Sequence, residues 1–572
     1  MAFVRRAEAR PGAELVVRRL DGGAEVVVAT DPVSIAGPVW SPDSRRLAFA
    51  AGARGVRHEQ TPEYSGAKIT YTTTERVPGR GVIVDASGGR VVAIREGTGT
   101  GLRWLGTERL VFDRVSPDFR RRGTFVVDAA NGATRLLRED EDGKFWSIPG
   151  NAGGAAQPSP DGRWIAFLSD RDGWDHLYVM AADGGEAVQV TTGDFEAWRP
   201  TWSPDSTRIA FDANRPGAPG TRQIGVATVS GTSAPTVELS WITSARGTHV
   251  APEWSPDGTR LVYQHTSPRI SADLFVVGAT GGDATRLSTS LPAAIAEAPL
   301  VEPEFVTYPG PDGAPVPGWL FVPPGLDRSR RHPAIVWIHG DGVNQGYDGW
   351  HVQRNYAVYY SFHQYLLQQG YVVFAPDYRG SIGYGRDWRQ GVYMDVGGRD
   401  AQDAWMAATY LKSLPYVDGD RLGVWGLSYG GFFTLIAMTD QPTLFRAGVD
   451  VAGVVDYAMY YEDPYHGGWT ASRIGTPEEH PEIYGKASPL SRMERLARPL
   501  LVLHGTADVN VPYLHSVRLA DALLKLGKGD LFDFVTYPGE FHYFTRAHVL
   551  RDAWTRVDRF FAQHLRGAAA TD

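Results

Sequence analysis

The chain has no cysteine in its 572 residues. Disulfides, thiolate metal sites and a cysteine nucleophile are thereby excluded, and nothing calls for an oxidising compartment. No stretch reaches the roughly 20 apolar residues of a membrane span. Residues Met1 to Arg10 hold no apolar run of signal-peptide length. The expected setting is cytoplasmic, with no membrane partner. Basic residues are not in excess: 57 Lys and Arg against 65 Asp and Glu leave a net charge of -8. That balance argues against nucleic acid as a partner. No metal and no organic cofactor is expected.

Glycine and proline are plentiful, at 66 and 38 residues. They imply many turns and a large β component. The length exceeds what one core accommodates, so two or more domains are expected.

The first half repeats. Trp40-Ser41-Pro42-Asp43 precedes Arg46-Leu47-Ala48-Phe49, and Pro158-Ser159-Pro160-Asp161 precedes Trp164-Ile165-Ala166-Phe167. Trp202-Ser203-Pro204-Asp205 precedes Arg208-Ile209-Ala210-Phe211, and Trp254-Ser255-Pro256-Asp257 precedes Arg260-Leu261-Val262-Tyr263. Trp104 to Phe112 is a degenerate copy. Each unit reads strand, Pro-Asp turn, strand, then further strands around Gly-Gly turns. Four short strands per roughly 40–50 residues are propeller blades, which bury their faces only by stacking. Glu14 to Leu20 and Glu25 to Thr30 read as the last strands of another blade. The chain is therefore expected to start inside a blade, and the count is six or seven. These motifs are scaffold and carry no chemistry. His58 to Arg80 is an irregular insert in one blade.

From about Val301 the texture changes to apolar strands alternating with helices. The strands are Ala334 to Ile338, Val372 to Ala375, Leu422 to Trp425, Ala447 to Val451, Leu500 to Leu503 and Phe532 to Tyr537. Such runs predict a mainly parallel sheet covered on both faces. His548 to Leu565 reads as a closing amphipathic helix.

Within that half, Gly426-Leu427-Ser428-Tyr429-Gly430-Gly431 follows a strand and opens a helix-compatible run. Strand, tight turn and helix with serine at the apex is a nucleophile elbow. Its glycines are required because side chains two positions from the serine would collide with neighbouring backbone. The N–H of Tyr429 points to where an oxyanion would form. Asp508 and His542 follow the serine, each on a loop beyond a strand, in the chain order of a hydrolase triad. His542 would take the proton of Ser428, and Asp508 would hold the imidazole. His339, His504 and His515 are rival bases; His339 and His504 precede glycine directly after a strand, where a packing role is expected. Asp400 and Asp403 read as helix N-terminal carboxylates.

With propeller, elbow, acid and base in place, the chain resembles the prolyl oligopeptidase family of serine peptidases over nearly its whole length. The resemblance is closest to the acylaminoacyl-peptidase and dipeptidyl-peptidase branches. It is carried by Asp377-Tyr378-Arg379-Gly380-Ser381 with Gly383-Tyr384-Gly385, by the elbow, by His504-Gly505-Thr506-Ala507-Asp508 and by Tyr537-Pro538-Gly539-Glu540. It implies a two-domain fold, a β-propeller over residues 1–295 and an α/β-hydrolase domain over residues 296–572. It also implies a peptidase whose propeller admits only short peptides. By position, Asn510 matches a contact to the substrate carbonyl, and Val511, Val454, Tyr457 and Tyr460 match the pocket for the side chain before the scissile bond. Tyr429 matches an oxyanion donor that also lines that pocket. The second donor falls at the backbone of Asp341 in one branch and at the position of His339 in the other. The carboxylate of Asp341 has to turn away from a developing oxyanion. No adjacent glutamate pair stands in the propeller half to hold a free N-terminus; Glu478-Glu479 lies in the hydrolase half.

The leading expectation is thus a serine peptidase acting on short peptides through an acyl-enzyme. A second keeps the triad and takes a small ester or amide. A third, a binding protein without catalysis, is opposed by the intact Ser428, Asp508 and His542. Self-association is left open. Asn344 to Tyr365 and Tyr457 to Trp469 are rich in aromatics and are expected to wall the cavity beneath the propeller.

Overall fold

The computed structural model describes residues 1–566 apart from 7–11, 61–62, 65–66, 69–70, 78, 96–99, 232–234 and 341–343. Its N-terminal half is a set of small antiparallel sheets arranged as propeller blades. Among the described residues they are one three-stranded sheet, Ala2–Arg6, Ala13–Arg18 and Glu25–Asp31, three four-stranded sheets and one eight-stranded sheet, besides two two-stranded ribbons. The two halves of the eight-stranded sheet are joined by a parallel bridge between Arg222 and Thr248.

Strand alternation explains how the blades stack. In Trp164–Ser169, Ile165 and Phe167 pack with Val111 and Val126 of the preceding blade. Trp164, Ala166 and Leu168 face the other way and pack with Trp202, Ile209 and Phe211 of the next. Successive residues of a strand point to opposite faces, so each blade carries two apolar faces and needs two neighbours.

The repeated motif has a local and a long-range part. In each Ser-Pro-Asp turn the serine hydroxyl donates to the aspartate, at 2.6 Å for Ser41 to Asp43 and 2.5 Å for Ser203 to Asp205. The same oxygen accepts the N–H that opens the next strand, at 2.9 Å from Arg46 and 3.0 Å from Arg208. The preceding tryptophan reaches back one blade. Trp104, Trp202 and Trp254 donate Nε1–H to the carbonyls of Val39, Gln157 and Thr201 at 2.8–3.1 Å. The insert of the second blade contains a two-stranded ribbon, Arg54–Gln60 against Tyr71–Val77; part of it lies outside the described residues.

The C-terminal half is one eight-stranded sheet. Its strands are β1 Glu304–Pro309, β2 Pro315–Phe321, β3 His332–Ile338, β4 Val372–Pro376, β5 Val417–Leu427, β6 Ala447–Val451, β7 Leu500–Gly505 and β8 Phe532–Tyr537. The spatial order is β1-β2-β4-β3-β5-β6-β7-β8. The pairs β1–β2 and β2–β4 are antiparallel; from β4 onward all pairs are parallel. Helices cover both faces: α1 Arg354–Gln368, α2 Arg399–Ser413, α3 Tyr429–Asp440, α4 Tyr457–Glu462, α5 Gly467–Ile474, α6 Leu514–Lys525 and α7 Ala547–Phe561. The closing helix α7 buries Val549, Ala553, Val557, Phe560 and Phe561, with Leu550 and Trp554 at the edge of the same core.

The propeller is seated on the carboxyl ends of these strands. The hydrolase residues it touches include segments that follow β3, β4 and β6, and Trp319 of β2 lies against Gly220. Asp348 is held by Arg246 at 2.7 and 2.8 Å, and Gln345 donates to the carbonyl of Pro219 at 2.9 Å. Gly468 and Arg473 of α5 lie against Phe119 and Phe145 of the propeller. The strongest tie is Arg389. Its guanidinium is fully buried and meets Asp175 at 2.7 Å, Glu196 at 2.8 Å and Asp170 at 3.3 Å. Glu196 also accepts the N–H of Gly383 at 2.8 Å, and Asn214 donates to the carbonyl of Gly383 at 2.9 Å.

Removing one partner of a buried ion cluster leaves uncompensated charge, at a cost of about 3–5 kcal/mol. Arg389→Met is therefore expected to lower the thermal midpoint sharply and to open the seam between the two halves to limited proteolysis. An unchanged midpoint and digestion pattern would show that the cluster does not hold the halves together.

Candidate active site

The elbow forms because β5 runs to the carboxyl end of the central sheet and α3 starts without a spacer. Ser428 caps α3 with φ 61° and ψ -117°. A positive φ is costly for a residue with a Cβ and holds only where the surroundings enforce it. The surroundings are close backbone. A Cβ on Gly426 would lie 2.5 Å from the Ile338 carbonyl oxygen, and one on Gly430 would lie 2.0 Å from the same atom. Tyr429 is the first helical residue, so its N–H has no acceptor within the helix. Gly340, after β3, lies against the serine, with its missing Cβ 3.0 Å from that of Ser428. Asp341 lies outside the described residues.

Asp508 and His542 come together from the loops after β7 and β8. Ala507 donates to the carbonyl of Glu540 at 3.0 Å, which pins the two loops to each other. Asp508 Oδ2 is 2.7 Å from His542 Nδ1. Its Oδ1 accepts the N–H groups of Asn510 at 2.8 Å and Val511 at 3.0 Å. Burial alone would raise this carboxyl; the imidazole of His542, with that of His504, outweighs it and holds the group well below the usual carboxylate range. With Nδ1 committed to Asp508, Nε2 of His542 is the nitrogen available to a nucleophile. Among the described residues no hydrogen bond joins it to Ser428; both line one cavity. Such bonds are often long in unliganded sites and close with substrate.

That cavity measures about 360 Å³ and is lined by Ser428, Tyr429, Val454, Tyr460, Tyr465, His466, Trp469, Asn510, His542 and Tyr543. Six residues expected from the sequence thus meet in one place. Tyr457 and Val511 do not reach it: both are fully buried in the core behind the wall. Tyr457 packs its ring at a tilt against Phe432 of α3, with centroids 5.0 Å apart, which turns it inward. Of the two aromatic segments, Tyr457 to Trp469 supplies the wall, through Tyr460, Tyr465, His466 and Trp469. Asn344 to Tyr365 does not. Its first part ties to the propeller, and α1 packs Tyr359 and Phe362 on Trp425 and Trp554. Tyr465, His466, Trp469 and Tyr543 were not singled out as contacts; their signal was the aromatic density itself and, for Tyr543, adjacency to the base.

The rival residues have other partners. His339 is buried, 3.1 Å from Ser381 Oγ, with its ring stacked on Tyr378 at 4.5 Å. His515 is buried and accepts the N–H of Val455 at 3.3 Å. Asp403 departs from the expected helix-end role and forms a two-pronged pair with Arg379 at 2.6 and 2.9 Å. Asp400 does serve its helix, accepting from Gly397 and Ala401, and also accepts the Tyr429 hydroxyl at 2.6 Å. Among the described residues no group of three or more His, Asp or Glu side chains has the arrangement of a metal site.

Comparison with known proteins agrees with this architecture. The sequence model of the prolyl oligopeptidase family matches residues 358–568, and that of the dipeptidyl peptidase IV N-terminal region matches residues 91–236. Dipeptidyl-peptidase 5 of Porphyromonas gingivalis is 27% identical over 399 residues, 67% of this chain and 55% of its own length. The chain thus spans about half the length of the curated relatives it matches. Among solved structures, a puromycin-hydrolyzing peptidase of Mycobacterium tuberculosis superposes with a TM-score of 0.75 at 21% identity, covering 99% of this chain and 86% of the other. The acylaminoacyl peptidase of Pyrococcus horikoshii gives 0.70 at 19% identity, covering 100% and 88%. At those identities the likeness speaks for the fold alone.

Burial raises Asp400 to about 7, against the donated Tyr429 hydroxyl. A carboxyl raised on folding favours the folded state below its unfolded value near 3.8, and that advantage is lost as pH rises through about 7. Asp400→Asn removes the titration. Its thermal midpoint should fall less between pH 5 and pH 8 than the parent's. Parallel curves would show that Asp400 is ionised throughout.

Proposed function

We propose that this chain, which belongs to the prolyl oligopeptidase family, is a serine hydrolase that cleaves short peptides. The observation that carries the reading is the commitment of His542 Nδ1 to the buried Asp508 beside a serine on a strained elbow. Ser428 attacks the scissile carbonyl, and its proton passes to Nε2 of His542. Asp508 stabilises the imidazolium so formed. The Tyr429 N–H, at the positive end of α3, takes the oxyanion. The imidazolium then protonates the leaving amine, and water repeats the sequence to release the acyl group.

The walls argue for the substrate. Tyr429, Val454, Tyr460, Tyr465 and Trp469 make an apolar, aromatic pocket, and Asn510 supplies a polar anchor. None of the described residues lining it is Asp, Glu, Lys or Arg. A free ammonium brought into it would find no counter-charge, which is costly in a desolvated site. We therefore assign to this site peptides whose residue before the scissile bond is apolar and whose amine is blocked or lies beyond the cavity. The propeller seated on the strand ends limits access to chains thin enough to pass.

A fluorophosphonate is expected to label Ser428, and Ser428→Ala to lose several orders of magnitude in turnover, since triad members act as a unit. Label on another residue, or undiminished turnover, would refute the assignment. In a panel of chromogenic substrates with aromatic or aliphatic acyl residues, N-acylated amides should exceed free-amine amides in kcat/KM; the reverse order, or activity confined to esters, would overturn the substrate reading. One cleavable sequence extended stepwise from a dipeptide to a folded domain should be cut progressively more slowly, then not at all. Equal rates throughout would mean that the propeller does not restrict access.

A further inference from the structure

We infer that His504 is a second imidazole acting on Asp508, a positioning residue that holds the acid ionised and oriented and so sets how readily His542 takes the serine proton. The inference rests on the catalytic reading of Ser428, Asp508 and His542 given above. His504 is the penultimate residue of β7 and is completely buried. Its Nε2 lies 2.9 Å from the carbonyl oxygen of Val511 and 3.2 Å from Asp508 Oδ2. A carbonyl only accepts, so Nε2 carries a hydrogen in either charge state of the ring. That hydrogen bonds the Val511 carbonyl, and Asp508 Oδ2 stands 3.2 Å from the same nitrogen. Nδ1 is 2.7 Å from Ser516 Oγ on α6, a hydroxyl that donates when the ring is neutral. The serine therefore fixes both the tautomer and the ring plane.

Asp508 thus accepts three N–H groups, two from the backbone on Oδ1 and that of His542 on Oδ2, and the Nε2–H of His504 stands 3.2 Å from the same Oδ2. Each donor stabilises the carboxylate and lowers its basicity. A less basic carboxylate pulls less on the Nδ1 proton of His542. The other groups around the ring do not take over this role. Asp450, from β6, is a buried carboxyl raised to about 7 by its burial, with His504 opposing the rise. His515, from α6, is lowered by burial. Tyr513 meets the ring edge-on at 5.6 Å. None of the three has a hydrogen bond to Asp508 among the described residues.

The test needs no known substrate. Fluorophosphonate labelling forms an O–P bond at Ser428, breaks P–F, releases fluoride and sends the serine proton to His542. The second-order labelling rate is measured from pH 5 to pH 9 for the parent, His504→Gln, His504→Leu and Ser516→Ala. Losing the His504 contact with the acid should move the acidic limb of His504→Leu to higher pH by about half to one unit, with a lower plateau. Gln can place an N–H near the position of Nε2, so its limb should stay with the parent's. Ser516→Ala frees the ring to turn and should move the limb in the same direction by less. It also keeps the test decisive if His504→Leu does not fold. A limb unmoved in both Leu and Ala variants, or moved as far in Gln as in Leu, overturns the inference. A parent that does not label at all overturns the catalytic reading beneath it, so the two failures are distinguishable.

Discussion

Gly430 stands so near β3 that a Cβ there would be 2.0 Å from the carbonyl oxygen of Ile338. Helix α3 is thereby pressed against the end of the sheet, with no room for a methyl group. Ser428 at positive φ, the outward Tyr429 N–H and the contact of Gly340 with the serine all follow from that approach. The strain is local, but its support is not. Val451 of β6 accepts the N–H of Ser428 at 2.8 Å, and Asp450 accepts that of Gly453 at 2.8 Å beside Gly431. Strands β3, β5 and β6 thus fix the apex together, and β7 and β8 bring acid and base to it. A rigid sheet edge positions the groups; loops only carry them.

The seam between the halves follows a different principle. It is charged and hydrogen-bonded: one guanidinium among three carboxylates at Arg389, a second pair at Arg246 and Asp348, and backbone bonds at Gly383 and Gly220. Buried ion clusters add little net stability compared with apolar packing, but they penalise every misaligned alternative. A propeller bound by an apolar face would tolerate sliding. A propeller bound by Arg389 has one register over the strand ends, and the space above Ser428 is set with it.

Much of this was readable in the sequence because the physics is local. A Trp-Ser-Pro-Asp turn specifies its own hydrogen bonds, and an elbow needs glycine at fixed offsets. Chain order favours His542 over its rivals as the expected base. What was not readable depends on which way a side chain faces. Tyr457 and Tyr460 are three apart on the short helix α4, yet one is core and the other lines the cavity. Aromatic density in Asn344 to Tyr365 signalled burial correctly and the burying partner wrongly, because packing on a sheet and lining a pocket select the same residues. His504 looked like a packing residue ahead of a glycine. Its packing is what puts Nε2 3.2 Å from Asp508, four residues further on.

The distribution of charge joins these observations. A buried ion cluster stands at the seam, whereas none of the described residues lining the cavity is Asp, Glu, Lys or Arg. In a low-dielectric space the energy of a new charge depends on what already stands there. On the proposed reaction, attack by Ser428 creates an oxyanion and an imidazolium at once. An uncharged wall leaves that pair to the groups aimed at it, the Tyr429 N–H on one side and Asp508 on the other. A carboxylate on the wall would oppose the oxyanion, and a lysine would favour substrate carboxylates before any bond is made. The same emptiness that disfavours a free ammonium in the pocket therefore reserves the electrostatics of the site for the transition state.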